Sequence, residues 1–369
     1  MLSSLVLLAA CSSEEPSVSN APQSIRKEIC YSTDIVTRST VTTINNIKSF
    51  NVTAYHQDAE GITKYIDNGA VNLKGGQWIP ETKEYWPGSG LMRFYAYSPL
   101  ADNVNCPTPA SAIPQPTMEY DVPGFDNEQK DVLYAVTNCT ELGSIAPDAT
   151  EETVNLNFRH ALSQIAINAE NTNPKWIISI GTVTIHNLNH KGIYTFPTEN
   201  TARGVETRGS WMSTDNDPRS FPFVFNEKKL DGVASEVLAS TDKKNSLLLM
   251  PQSKESWDFA NDPHCQNKGT YFSVELNVLK KNDDGSTTQL WPLGENYEIG
   301  AKARVAIPAK INWVEGKKYT YTLTFGENEG IGRIPPEQSD GGKPAAGDDA
   351  LRTIHYSVTV DDMPDGAIK

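Results

Sequence analysis

Tyr319-Thr320-Tyr321-Thr322-Leu323-Thr324-Phe325 alternates large apolar side chains with threonines. Successive strand side chains point to opposite faces, so this period of two puts Tyr319, Tyr321, Leu323 and Phe325 on one face and the threonines on the other. Shorter runs of the same kind recur at Phe50-Asn51-Val52-Thr53-Ala54-Tyr55, Phe94-Tyr95-Ala96-Tyr97 and Val132-Leu133-Tyr134-Ala135-Val136. Turn-forming clusters lie between them: Asp67-Asn68-Gly69, Gly75-Gly76, Pro87-Gly88 and Asp283-Asp284-Gly285. Many short strands punctuated by turns, with few long helical periods, predict an all-β sandwich architecture. The scattered prolines suit edge strands and loops better than helix interiors.

A chain of 369 residues is long enough for two domains, each with a sizeable core. The expected division is an N-terminal sandwich over 28–150 and a C-terminal sandwich over 151–325, with the polar, turn-rich stretch 143–153 between them. Residues 326–352 carry Pro335-Pro336 and Gly341-Gly342 and little to bury, so they read as a flexible linker. A strand-like segment then returns within 353–369.

The formal net charge of -14 argues against nucleic acid as a partner, because an anionic surface repels phosphate. It also argues against attachment to anionic lipid through basic residues. Leu2 to Ala10 form a short apolar run ending in Leu8-Ala9-Ala10-Cys11. About 20 apolar residues are needed to span a bilayer, so the run reads as a signal peptide with small residues at its processing site. Leu-Ala-Ala-Cys resembles the bacterial lipobox, which makes residues 1–11 a lipoprotein leader with Cys11 as the acylated residue. Residues 12–27, with Pro16 and Pro22, then form a tether. The remaining Cys30, Cys106, Cys139 and Cys265 allow three pairings, and buried free thiols fit as well as bridges. No pair has the two-residue spacing of a zinc or redox motif, so neither a metal nor another cofactor is expected.

The first and last strand candidates match each other. Ile29-Cys30-Tyr31-Ser32-Thr33-Asp34-Ile35 places Ile29, Tyr31, Thr33 and Ile35 on one face. Ile354-His355-Tyr356-Ser357-Val358-Thr359-Val360 places Ile354, Tyr356, Val358 and Val360 on one face, and both carry Ile-x-Tyr-Ser in the same phase. Two amphipathic strands can be alike without a shared role; the functional alternative is competition for one groove, since adding a strand to a sheet is a known recognition mode. Thr37-Arg38-Ser39-Thr40 follows the first strand, and an exposed arginine in a polar loop is either an ordinary solvated residue or a cleavage point for a trypsin-like, Arg-specific protease.

Four segments together resemble the fimbrillin family of Bacteroidales, the type V pilins that include Mfa-like proteins. They are Phe94-Tyr95-Ala96-Tyr97-Ser98-Pro99, Asn157-Phe158-Arg159-His160-Ala161-Leu162-Ser163-Gln164-Ile165, Leu248-Leu249-Met250-Pro251-Gln252 and Trp313-Val314-Glu315-Gly316-Lys317-Lys318-Tyr319-Thr320-Tyr321. Glu14-Glu15 after the lipobox also resembles a surface-export signal of lipoproteins from that phylum. The resemblance implies two transthyretin-like β-sandwich domains in tandem, an outer-membrane location and export by lipoprotein machinery. It further implies trimming after an arginine and polymerisation with other fimbrial subunits by donor-strand exchange, in support of adhesion. Carried onto this chain, Arg38 is the first choice for trimming and Arg26 the second. Ile29, Tyr31, Thr33 and Ile35 form the displaced strand, and Ile354, Tyr356, Val358 and Val360 the donor strand.

Catalytic patterns are weak. His186-x-x-x-His190 would aim two imidazoles at one metal on a helix, but it alternates like a strand, where residues four apart stand ~13 Å apart. His160 reads as a packed or hydrogen-bonded core histidine, and Asp215-Asn216-Asp217 as a solvated turn without the glycine and distal glutamate of a calcium loop. No nucleophile elbow, phosphate loop or zinc-protease helix is present. The alternative function is a non-polymerising adhesin that binds a glycan or host protein through Trp78, Trp86, Trp211 and Trp257, although tryptophans more often cap sandwich cores.

Overall fold

The computed structural model describes residues 27–35, 47–99, 101–137, 140–141, 151–198, 201, 207–240, 245–293, 297–326, 330–336 and 355–363. Among them the chain is all β, with a single 3-10 turn at Ala101–Asn103. The first sheet contains β1 (Glu28–Ile35), β2 (Ser49–Asp58), β3 (Gly61–Lys74), β4 (Gln77–Pro80), β5 (Leu91–Ser98), β8 (Leu133–Val136), β9 (Thr140–Glu141) and β10 (Glu151–His160). Its order is β2-β3-β4-β1-β10-β8-β5-β9, and β2 pairs with β5 as well as β3, so the sheet closes around one core. Ile29, Phe50, Val52, Phe94, Leu156 and Phe158 fill that core.

The second unit stacks two sheets. One holds β11 (Ser163–Asn171), β17 (Ala234–Ala239), β18 (Leu247–Leu249), β24 (Lys317–Phe325) and β25 (His355–Asp362), in the order β17-β11-β24-β25 with β18 on β11. The other holds β12 (Trp176–Leu188), β15 (Arg219–Phe223), β16 (Lys228–Asp231), β20 (Tyr271–Lys281), β21 (Thr287–Trp291) and β22 (Ala303–Pro308). Ile165, Ile167, Tyr321 and Leu323 of the first meet Ile178, Ile180, Phe272 and Val274 of the second, with the Phe272 and Tyr321 rings 5.1 Å apart. The alternation of Tyr319 to Phe325 is therefore the packing of β24, its apolar side chains buried and its threonines half-exposed. Each such apolar side chain contributes about 1.5–3 kcal/mol through burial.

The two units are stitched together. A third sheet combines β6 (Val104–Asn105) and β7 (Thr117–Asp121) from the first half with β13 (Lys191–Thr195) and β14 (Ser210–Ser213) from the second. A short ribbon of β19 (Ser253–Lys254) and β23 (Ile311–Asn312) completes the strands. β5 is buried on both faces: Phe94 and Ala96 enter the first core, while Tyr95 and Tyr97 enter the core shared with the second unit. That explains why Phe94-Tyr95-Ala96-Tyr97 carries no polar residue.

Three expectations are corrected. Residues 151–160 do not open the second sandwich: β10 pairs with β1 and β8, because Val154, Leu156 and Phe158 pack into the first core, where Phe158 lies 5.4 Å from Phe50. The sheet change falls at Ala161-Leu162. Asp67-Asn68-Gly69 is a bulge inside β3 rather than a turn between strands. Val52 pairs with Gly69 and Ala54 with Ile66, and Asn68 takes the extra residue at φ 53°, which asparagine tolerates. The stretch 326–352 is not a linker from its start. Gly326 bridges Gly330, Arg333 bridges Ala306, and Ile331, Ile334, Pro335 and Pro336 are buried.

Candidate functional site

β1 joins β4 to β10 in the closed sheet. It runs parallel to β10 over its whole length, from Glu28 opposite Glu151 to Ile35 opposite Phe158. On its other side Tyr31 pairs with Trp78, the Ile29 N–H donates to the Glu84 carbonyl at 2.9 Å, and the Trp86 N–H donates to the Lys27 carbonyl at 2.9 Å. Ile29 and Tyr31 are buried, as the alternation predicts. The Tyr31 ring meets Phe50 and Phe94 edge-on at 6.0 and 6.4 Å, and burial, reinforced by the Glu84 charge, holds its phenol protonated far above the usual range. Cys30 is buried on the opposite face and the Ser32 hydroxyl donates to Asn155 Oδ1. Thr33 is half-buried, and the Ile35 side chain lies outside the described residues.

β25 occupies a different seat, the edge of its own second unit, antiparallel to β24. Tyr356, Val358 and Val360 stand opposite Leu323, Tyr321 and Tyr319, and directly opposed antiparallel residues share a face. The apolar face of β25 thus leans toward the core but is poorly covered: Val358 is 39% and Val360 53% exposed. Tyr356 is half-buried, its ring 6.0 Å from Tyr321 and its hydroxyl accepting from the Lys310 N–H at 3.1 Å. Ile354, Cys11, Arg26 and Arg38 lie outside the described residues.

Where the units meet, Tyr55, Tyr95, Tyr97, Tyr134, Tyr194 and Phe196 form an aromatic cluster. Glu315, in the turn before β24, enters it at 8% exposure and accepts a hydrogen bond from the Tyr134 hydroxyl at 2.7 Å. Burial pushes its carboxyl up to about 7, against the opposing pull of Tyr134, Tyr194, Arg208 and Arg159. Gly316 follows at φ 68°, a left-handed conformation that glycine adopts without strain. Beside this group His160 Nδ1 and Asp131 Oδ2 lie 2.7 Å apart, both buried, so His160 is a packed, hydrogen-bonded histidine. Sequence reading missed Glu315, because Val-Glu-Gly has the composition of a solvated turn.

The remaining polar candidates are separately engaged. His186 bridges Ser220 and Ser273 at 2.8 and 2.7 Å and stacks on Tyr271, and burial, with Arg304 adding to it, lowers its pKa to about 4. His190 faces Asp121 at 2.9 Å instead, while Asp215 accepts the backbone N–H groups of His190 and Lys191. No cluster of three metal-ligating side chains occurs among the described residues. Trp86 and Trp257 are buried; Trp78 packs 4.9 Å from Phe50, and Trp211 donates to the Ala161 carbonyl at 2.7 Å. Among the described residues Cys106 and Cys265 are free thiols.

A closed β unit with its first strand seated between two others, followed by a second sandwich with its last strand on the edge, defines a structural β-sandwich protein whose end strands stand out. Its sequence matches the fimbrillin-like family model over residues 37–334, and the chain belongs to that family. Comparison with curated protein sequences finds no match. A fimbrial protein from Bacteroides vulgatus is 17% identical, with a TM-score of 0.52 over 82% of this chain and 96% of that one. The fimbrial anchor protein Mfa2 from Porphyromonas gingivalis is 13% identical, with a TM-score of 0.36 over 81% of this chain and 90% of that one. The family is one of structural, non-enzymatic fimbrial and cell-adhesion proteins of the cell surface, and the fold is two β-sandwich domains in tandem.

Proposed function

We propose that this chain is a polymerising fimbrial subunit, exported as a lipoprotein through Cys11 and assembled by donor-strand exchange after an Arg-specific protease trims it at Arg38, with Arg26 as second choice. The observation that carries this reading is the seat of β1. It links β4 to β10 across a closed sheet, so its departure opens a slot one strand wide, floored by Phe50, Phe94 and Phe158. β25 has the same eight-residue length. In that slot Tyr356 takes the place of Tyr31 between Phe50 and Phe94, and Ser357 that of Ser32 beside Asn155.

The exchange gains by burial. Val358 and Val360 are partly exposed on their own domain, and covering what remains contributes on the order of 1 kcal/mol each. Val358 also replaces Thr33, removing a hydroxyl from an apolar seat. The glycan-binding adhesin reading loses its proposed anchors, since the four tryptophans pack into or against cores.

The test is purified lipid-free chain treated with an Arg-specific protease and imaged by electron microscopy. Wild type is expected to give filaments. Arg38→Ala is expected to stay a folded monomer, because a cut at Arg26 lies before β1 and leaves that strand joined to the chain. A cleaved wild type that remains monomeric refutes the proposal.

A further inference from the structure

The contacts that hold β25 on its own domain are unevenly placed. Its middle is weakly covered, with Val358 and Val360 partly exposed and Ser357 and Thr359 on the solvent side. The C-terminal end is different. Met363, the residue after β25, is 0% exposed and joins the apolar core of the second unit. Its N–H donates to the Gly316 carbonyl at 3.0 Å, and Lys317 forms an ion pair with Asp362 beside it. Gly316 is itself fixed, since its N–H donates to the Leu162 carbonyl at 2.9 Å in the turn between β10 and β11.

We infer that Met363 is a latch: its buried side chain, with its backbone N–H tied to the Gly316 carbonyl, holds β25 closed on β24 and sets how often that strand is free to leave. An edge strand with one neighbour opens from its weakly held part, and opening becomes complete only when the last buried anchor leaves its pocket. The regulatory consequence rests on the donor role proposed above for β25; the latch itself does not. Drawing Met363 out of its buried seat costs free energy, so the same residue that secures the resting chain opposes its assembly. Cleavage and unlatching are then separate controls, one acting on β1 and one on β25.

The experiment is hydrogen exchange of the full, uncleaved chain, read on peptides covering 355–362. Met363→Ala is expected to speed exchange there by on the order of tenfold or more, while Met363→Leu and Val360→Ala change it by less than about threefold. Exchange in β12 and β20 serves as the control for an intact domain. Should Met363→Ala disturb that control, Asp362→Asn, which touches only the rim of the latch, is expected to speed exchange in the same peptides. Exchange at 355–362 unchanged by Met363→Ala, or equally changed by Val360→Ala, overturns the latch. After protease treatment Met363→Ala is expected to assemble faster than wild type. Faster exchange with unaltered assembly keeps the latch and removes the donor role of β25.

Discussion

Replacing Glu315 with glutamine tests the domain junction through its pH dependence. Glu315 is buried among Tyr134, Tyr194, Arg159 and Arg208, and its carboxyl titrates at about 7 against an ordinary 4.5. A raised carboxyl pKa means that the folded state binds the proton more tightly than the unfolded one. The stabilisation is therefore fully present below about pH 4.5 and is lost as pH rises through 7. Between pH 5 and pH 8.5 this one group should cost the wild type about 2–3 kcal/mol of unfolding free energy. Glutamine keeps an acceptor for the Tyr134 hydroxyl and cannot ionise. Urea unfolding of both proteins across this range isolates the contribution, because all other titrating groups are shared. The stability difference should move in favour of Glu315→Gln by about 2–3 kcal/mol from pH 5 to pH 8.5. A difference that stays flat across that range would refute the assignment of a buried, proton-binding acid at the junction.

Further outcomes concern the end strands, the lipid and the thiols. Tyr31→Ala removes a buried ring between Phe50 and Phe94 and should destabilise the first unit by about 3–5 kcal/mol, letting the uncleaved chain accept a donor strand; titration with a synthetic peptide of residues 353–363 reads this out. Val358→Asp should block filament formation while leaving the monomer folded, because Val358 is 39% exposed there, whereas Thr359→Asp on the opposite face should assemble normally. Cys11→Ala should lose acylation and membrane partition, measured by detergent phase separation, and unchanged partition would remove the lipoprotein reading. Burial pushes the Cys265 thiol up to about 11 and raises that of Cys106, so native-state alkylation at pH 8 should be slow at both and fast after denaturation.

Much of the architecture was legible because it rests on local alternation. β24 and β5 followed from residue order alone, since period-two burial leaves a direct trace in the sequence. The presence of β1 and β25 followed for the same reason, although β25 runs to Asp362, two residues past the expected Val360. Partnership was harder. β10 sits one sheet earlier than expected because its neighbour in space, β1, is more than a hundred residues away in the chain, and parallel pairing leaves no turn to read. Asn68 imitates a turn because a bulge needs the same left-handed backbone that a hairpin does. Residues 330–336 look like a linker in composition, yet Ile331 and Ile334 are enough to pin them, with Arg333 lying 3.3 Å above the Phe259 ring. Glu315 left no trace, because the rings beside it, Tyr134 and Tyr194, come from distant parts of the chain.

The central claim is that the slot of β1 passes to the β25 of a neighbour. Cryo-electron microscopy of filaments grown from the cleaved chain tests it most directly. The account predicts density for Tyr356, Val358 and Val360 of one subunit between β4 and β10 of the next, with Tyr356 between Phe50 and Phe94, and no density for residues 28–35. Filaments in which residues 28–35 still fill that slot, with β25 on its own β24, would contradict it.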